Sequence, residues 1–361
     1  MNDTPYRNLA KVLDTLPNGF PSTESGVEYK LLKKIFSPDE AELFCKLRLS
    51  FETTEQISER IGLPADELEG KLIQMTEKGQ LMSVELGGIR LFKMLPYVFG
   101  IYEFQQPHLD REFAELNEEY GPVFGKQFFS RTPQLMYTLP IEEEITTNQE
   151  ALPYDRVSAL VEQSQSFMVM DCVCKKEQGL LDNPCEKPTE ICMAFAPIPN
   201  VFDNNRLGRA ITKEEAKELL KKAEEAGLVH LTNNFRDGRF FICNCCGCCC
   251  GVLRSINEFG IPASTVVNSH YYAVIDPDLC ASCGTCAEER CQVKAIEEMD
   301  DAYAVTGEKC IGCGLCVSTC PSEAIRLVRR PENETVAPPE NEQAWFDDRA
   351  QKRGIDYSQY R

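Results

Sequence analysis

Two stretches decide how this chain is read: CASCGTCAEERCQVKAI, residues 280–296, and CIGCGLCVSTCPSEAI, residues 310–325. Each places three cysteines as C-x2-C-x2-C and adds a fourth. The first run is Cys280, Cys283, Cys286 and Cys291; the second is Cys310, Cys313, Cys316 and Cys320. Ala295-Ile296 recurs as Ala324-Ile325, so the two halves are an internal duplication. Around them the cysteines are unevenly spread. Of 19 in 361 residues, Cys45 alone precedes Cys172. A disulfide scaffold would be small and secreted, whereas the opening residues MNDTPYRNLA carry no basic-then-apolar leader. Clustered thiols in a reducing cytoplasm point to metal.

The duplicated segment, residues 271–330, resembles bacterial two-cluster ferredoxins. The resemblance implies two [4Fe-4S] clusters. Three cysteines on a tight loop face three corners of one cube, and Gly284, Gly312 and Gly314 let the backbone bend around it. The fourth cysteine of each run ligates the other cluster. Cys280, Cys283, Cys286 and Cys320 are therefore expected to hold one cluster, and Cys310, Cys313, Cys316 and Cys291 the second. Strands at Tyr271–Ile275 and Ala302–Thr306 would supply the small sheets. The first half departs from the pattern twice. It has four residues between Cys286 and Cys291, and Gln292 stands where proline is usual.

Ten cysteines remain upstream. Cys172 and Cys174 lie at the end of an expected strand, Phe167–Met170, and Cys185 and Cys192 are expected in proline-bearing loops. Cys243, Cys245, Cys246, Cys248, Cys249 and Cys250 follow in the run CNCCGCCCG. Adjacent strand side chains point to opposite faces, so six thiols this dense meet one metal only if Gly247 and Gly251 turn the chain. Their number suits one or two further iron–sulfur clusters; structural zinc is the simpler alternative. A capping box at Thr212–Glu215 opens a helix ending at Gly227, and a hairpin (Leu228–Thr232, Arg239–Cys243) links the two cysteine groups. The whole arrangement is similar to uncharacterised multi-cluster iron–sulfur proteins of anaerobes. His230 and His270 are expected at ordinary strand edges rather than as ligands, and nothing marks His108.

Toward the N-terminus the chemistry fades and the patterning sharpens. Ser37-Pro38-Asp39-Glu40 and Thr53–Gln56 are capping boxes. Leu68, Leu72 and Met75 mark a third helix from Ala65. Gly87-Gly88 joins strands Leu81–Leu86 and Ile89–Met94. Three helices and a hairpin resemble a winged-helix domain. Its third helix carries Asp66, Glu67, Glu69 and Glu77 against Lys71 and Lys78, the wrong sign for a DNA groove. Protein contact or homo-oligomerisation is the expected use, and Cys45 is expected to be a core thiol. Residues 99–170 call for a structural account alone, with a connection over 140–155.

The length fits two or three domains at ~150 residues each. We expect an α+β chain: an N-terminal segment (1–25), a winged-helix-like domain (26–98), a central cysteine-rich module (99–270), a ferredoxin-like domain (271–330) and an extended tail (331–361), with room for a short helix near Ala344–Lys352, in which Trp345 and Phe346 pack back. A net charge of -19 speaks against binding a phosphate backbone and for a partner with a basic face. No apolar run is long enough for a membrane span. Dinucleotide, P-loop, G-x-S-x-G and H-E-x-x-H motifs are absent, and no catalytic residue stands out. The expected function is electron transfer in anaerobic metabolism, to a redox partner or as an oxidoreductase subunit. A redox-sensing winged-helix regulator and a reductase binding substrate at the central cluster are the alternatives.

Overall fold

The computed structural model describes residues 3–142, 155–203 and 205–361. It is a mixed α+β chain that divides into two compact units. The first runs to Phe128 and takes in Lys176–Pro184 and Phe346–Arg361; the second is Phe129–Lys175 with Cys185–Trp345. Most of the expected 140–155 connection, residues 143–154, lies outside the described residues.

The first unit begins with α1 (Thr4–Thr15), α2 (Val27–Ile35) and α3 (Pro38–Phe44). Next come β1 (Glu52–Thr53), α4 (Thr54–Ile61), α5 (Ala65–Glu77), β2 (Leu81–Leu86) and β3 (Ile89–Met94). Both capping boxes form. The Glu40 N–H donates to Ser37 Oγ at 3.3 Å and the Ser37 N–H to Glu40 Oε2 at 2.8 Å, and Thr53 and Gln56 repeat the exchange. Leu68, Leu72 and Met75 turn the buried face of α5 inward, leaving its acids outside. The strands make a three-stranded sheet, order β1-β3-β2. Its two-residue turn needs left-handed backbone at both positions, which Gly87 and Gly88 supply with φ of 60° and 80°. Cys45 ends α3 half-buried, and burial pushes its thiol up to about 11. The short α6 (Tyr102–Phe104) and long α7 (Arg111–Phe129) follow. Tyr97 packs against Phe20 and Tyr120, with ring centroids 5.0 and 5.8 Å away, a structural role for that aromatic run.

The second unit holds β4 (Met136–Leu139), α8 (Val157–Gln163), β5 (Ser166–Asp171) and the start of α9 (Val173–Leu180). It continues with β6 (Glu190–Ala196), β7 (Arg209–Ile211), α10 (Lys213–Glu225), β8 (Val229–Asn233) and β9 (Phe241–Cys245). Then come α11 (Gly251–Asn257), α12 (Ala263–Val266) and β10 (Val267–Asn268). Seven strands form one sheet in the order β10-β4-β8-β9-β6-β5-β7, antiparallel except for the β10–β4 pair. Tyr137, Phe167, Val169, Met193, Phe195 and Ile242 project from this sheet onto Leu160 and Val161 of α8 and Ala216 and Leu220 of α10. One turn further along α10, Ala223 packs with Leu228 and Ile191 against Cys172, Cys246 and Cys249. The same helix thus closes the apolar core and walls in the cysteines.

The last strands are β11 (Tyr271–Ile275), β12 (Ile296–Met299), β13 (Ala302–Val305) and β14 (Ile325–Arg329). β11 pairs with β14 and β12 with β13, so one small sheet joins the two ends of the duplicated segment and the other is a hairpin at its middle. Past Arg330 the short helix expected in the tail forms as α13 (Glu342–Arg353), and Trp345 is buried, its indole N–H donating to the Gln134 carbonyl at 2.9 Å. Among the described residues no helix is long and apolar enough to cross a membrane.

Candidate metal centres

In the duplicated segment the glycines behave as the spacing requires. Gly284, Gly312 and Gly314 take φ of 79°, 64° and 83°. At Gly312 a Cβ would sit 2.2 Å from the Tyr271 carbonyl oxygen, so any other residue would push the loop off β11. Cys280, Cys283 and Cys286 line one cavity, and Cys320 of the second half lines the same cavity beside Pro321, Ile275 and Tyr303. Cys291 of the first half lies close enough to Cys310, Cys313 and Cys316 to act electrostatically on the last two. Amide N–H groups reach the thiols from flanking strands, Ala295 to Cys291 at 3.1 Å and Ala273 to Cys310 at 3.4 Å. Burial pushes Cys313 up to about 12 and raises Cys316 well above the ordinary thiol range. Thiols so buried reach the thiolate form only beside a cation, which makes the donor set fit a metal cluster.

The ten central cysteines fall into two groups. β9 alternates, turning Ile242 and Asn244 to one face and Cys243 and Cys245 to the other. Cys192 lies within β6, not in a loop as its prolines suggest; it follows Ile191 and precedes Met193, which pairs with Ile242, so it shares the face of Cys243. Cys172 and Cys174 arrive where β5 gives way to α9, and Cys250 stands at the start of α11. Their thiols are arranged as a ring of neighbours, each within electrostatic reach of two others: Cys172 of Cys174, Cys174 of Cys250, Cys250 of Cys245, Cys245 of Cys243, Cys243 of Cys192, and Cys192 of Cys172. Hydrogen bonds from Cys192 and Cys245 bring Cys243 down to about 7, and Cys174 and Cys245 lower Cys250, aided by backbone N–H groups of α11.

The other four are Cys185, from the loop before β6, with Cys246, Cys248 and Cys249. Their sulfurs all lie within 4.8 Å of one another. Among the described residues no other three His, Cys, Asp or Glu donors are so close, which sets them apart from the ring and from the duplicated runs.

Both departures in the first half make contacts with the central module. The extra residue before Cys291 is absorbed as a π-turn over Cys286–Arg290, closed by the Cys291 N–H on the Cys286 carbonyl at 3.0 Å. That turn aims Arg290 at the carbonyls of Glu224 and Glu225, which end α10, at 2.8 and 3.1 Å. Gln292 accepts the Gly247 N–H at 2.9 Å, while Asn257 donates to the Gln292 and Gly247 carbonyls at 3.0 and 3.3 Å. Proline at 292 would keep the carbonyl that Asn257 reaches but would have no side chain to take the Gly247 N–H. Sequence reading flagged Gln292 but not its partner. It also missed Asn244, which is fully buried between Cys243 and Cys245. His230 Nδ1 lies 2.5 Å from its Oδ1, and its amide donates to the Ile191 carbonyl at 2.6 Å. His230 therefore positions the cysteine strand, with Glu224 at its other ring nitrogen, 3.1 Å away. His270 is buried edge-on to Tyr137 and 3.6 Å from Asp155.

Residues 303–326 match the family model of the 4Fe-4S binding domain. Over 88 residues the chain is 34% identical to an uncharacterised ferredoxin of Methanocaldococcus jannaschii, an alignment covering 24% of this chain and 51% of that protein. The chain thus spans about half the length of the curated relative it matches. No solved structure matches. This chain therefore carries an iron–sulfur, ferredoxin-type domain, set here beside a cysteine-rich module.

Proposed function

We propose that the protein is a multi-cluster iron–sulfur electron carrier. The observation that carries this reading is the cavity that Cys320 shares with Cys280, Cys283 and Cys286, a crossed arrangement suited to two cubanes. Cys280, Cys283, Cys286 and Cys320 would hold one [4Fe-4S] cluster, and Cys291, Cys310, Cys313 and Cys316 the other. Such clusters supply one-electron chemistry when bound. The chain's own part is to space the sites, exclude water and tune charge through N–H groups such as those of Ala273 and Ala295.

The ring of Cys172, Cys174, Cys192, Cys243, Cys245 and Cys250 would hold a third, polynuclear centre. Neighbours act on one another electrostatically, yet no three are mutually within 4.8 Å, so the ring surrounds a volume rather than a point. Arg290 and Gln292 lock the second cluster's loop to this module, which supports transfer between them. The first unit, with the element order of a winged helix and an acidic α5, would dock a partner subunit or a second copy rather than DNA. We place the protein in a reducing, cytoplasmic and anaerobic setting.

The test is iron and acid-labile sulfide on protein made without oxygen, with EPR of the reduced form. About eight irons per chain support the two cubanes alone; about twelve or more, with a third signal, add the ring. Colourless protein without sulfide would sink the proposal.

A further inference from the structure

The geometry points to a single metal ion, zinc, held by Cys185, Cys246, Cys248 and Cys249, a site different in kind from the clusters proposed above. Cys185 Sγ lies 3.8 Å from Cys246 Sγ and 3.7 Å from Cys248 Sγ, and Cys248 Sγ lies 3.7 Å from Cys249 Sγ. A tetrahedron with zinc–sulfur arms of about 2.3 Å has edges of about 3.8 Å, so these four sulfurs already stand at the corners one ion needs. A cubane cannot use such corners. Each of its cysteines binds a different iron at a different vertex, which spreads the sulfurs well beyond one ion's reach.

The molecule contains its own comparison. The eight cysteines of the duplicated runs, whose spacing resembles that of cubane ligands, include no trio within 4.8 Å. The local chain is built for a compact knuckle. Cys246 and Cys249 flank a turn closed by the Cys250 N–H on the Cys246 carbonyl at 3.2 Å. Gly247 at that turn leaves no room for a side chain, since a Cβ would meet the Gln292 carbonyl oxygen at 2.2 Å. Cys185 closes the site from a loop far off in sequence, packed against the apolar cluster that holds Ala223, Leu228, Cys246 and Cys249. Four protein sulfurs leave no open position, which marks a structural rather than a catalytic zinc. The ion would staple the loop before β6 to the turn after β9, holding the cysteine strand from outside the ring.

The test uses the full chain purified without oxygen: zinc, iron and labile sulfide per chain, with X-ray absorption at the zinc edge. About one zinc per chain is expected, its nearest shell four sulfurs at about 2.3 Å with no metal neighbour. Cys185→Ala and Cys248→Ala should each lose that zinc and leave iron and sulfide at wild-type levels. Zinc absent from the wild type, a shell containing nitrogen or oxygen, or sulfide falling with iron in both variants would overturn it. If neither variant folds, the wild-type spectrum decides alone. Zinc-bearing protein free of iron and sulfide would sink the electron-carrier reading and leave this one standing.

Discussion

Gln292 shows what a single departure from a pattern can mean. At the place where the second half has Pro321, its side chain takes the Gly247 N–H, a buried-turn donor that would otherwise lack its partner. Gln292→Pro should keep the iron of both cubanes and lose about 1 kcal/mol of stability, read as a lower anaerobic unfolding midpoint. Gly247→Ala acts from the other side of the same contact. Its Cβ must displace the Gln292 carbonyl, so a loss of about 1–3 kcal/mol is expected in the same assay, and an unchanged midpoint would disprove the close approach. Cys320→Ala tests the crossed ligation. EPR should lose the signal of the site made by Cys280, Cys283 and Cys286 and keep the other; loss of the Cys310 site instead would reverse the assignment. The duplicated cysteines stood out as candidate ligands because their spacing repeats. Asn244 and His230 were not, since their work is done through a cross-strand neighbour that sequence does not reveal.

Among elements, those with local signals came through nearly whole. α3, α4 and α10 start at capping boxes whose donors and acceptors are three residues apart, and the β2–β3 hairpin follows from two glycines. Pairings that depend on distant segments did not. Nothing local says that β11 finds β14, that β10 runs parallel to β4, or that Cys192 sits inside a strand rather than a loop. Prolines near Cys192 suggested a loop, but Ile191, Met193 and Phe195 bury one face of β6 and tertiary packing won. α10 joins the sheet core to the cysteines, so damage to it should reach the metals. Leu220→Ala is expected to cost about 2–5 kcal/mol by leaving a cavity, and to speed iron loss under a chelator. Stability lost without faster release would separate the two roles.

For the molecule as a whole, charge is the dominant property. If the -19 chain docks a basic partner as proposed, reduction of a basic acceptor protein should slow as salt is raised, while a neutral small-molecule acceptor is unaffected. A gel shift at low salt should show no retarded DNA. The ten central thiols illustrate the limit of sequence reading at this scale: their count was plain, but their division into six and four arises only where β5, β6, β9 and α11 converge. The π-turn at Cys286–Arg290 has one further consequence. Its longer arm reaches the end of α10 through Arg290, a grip that the shorter second half has no residue to make. The two copies have therefore ceased to be interchangeable. Exchanging residues 280–296 with 310–325 would preserve every cysteine yet cut the mooring to the neighbouring module, so the internal symmetry survives in the cysteines and their glycine turns and is broken where Arg290 and Gln292 grip the adjoining chain.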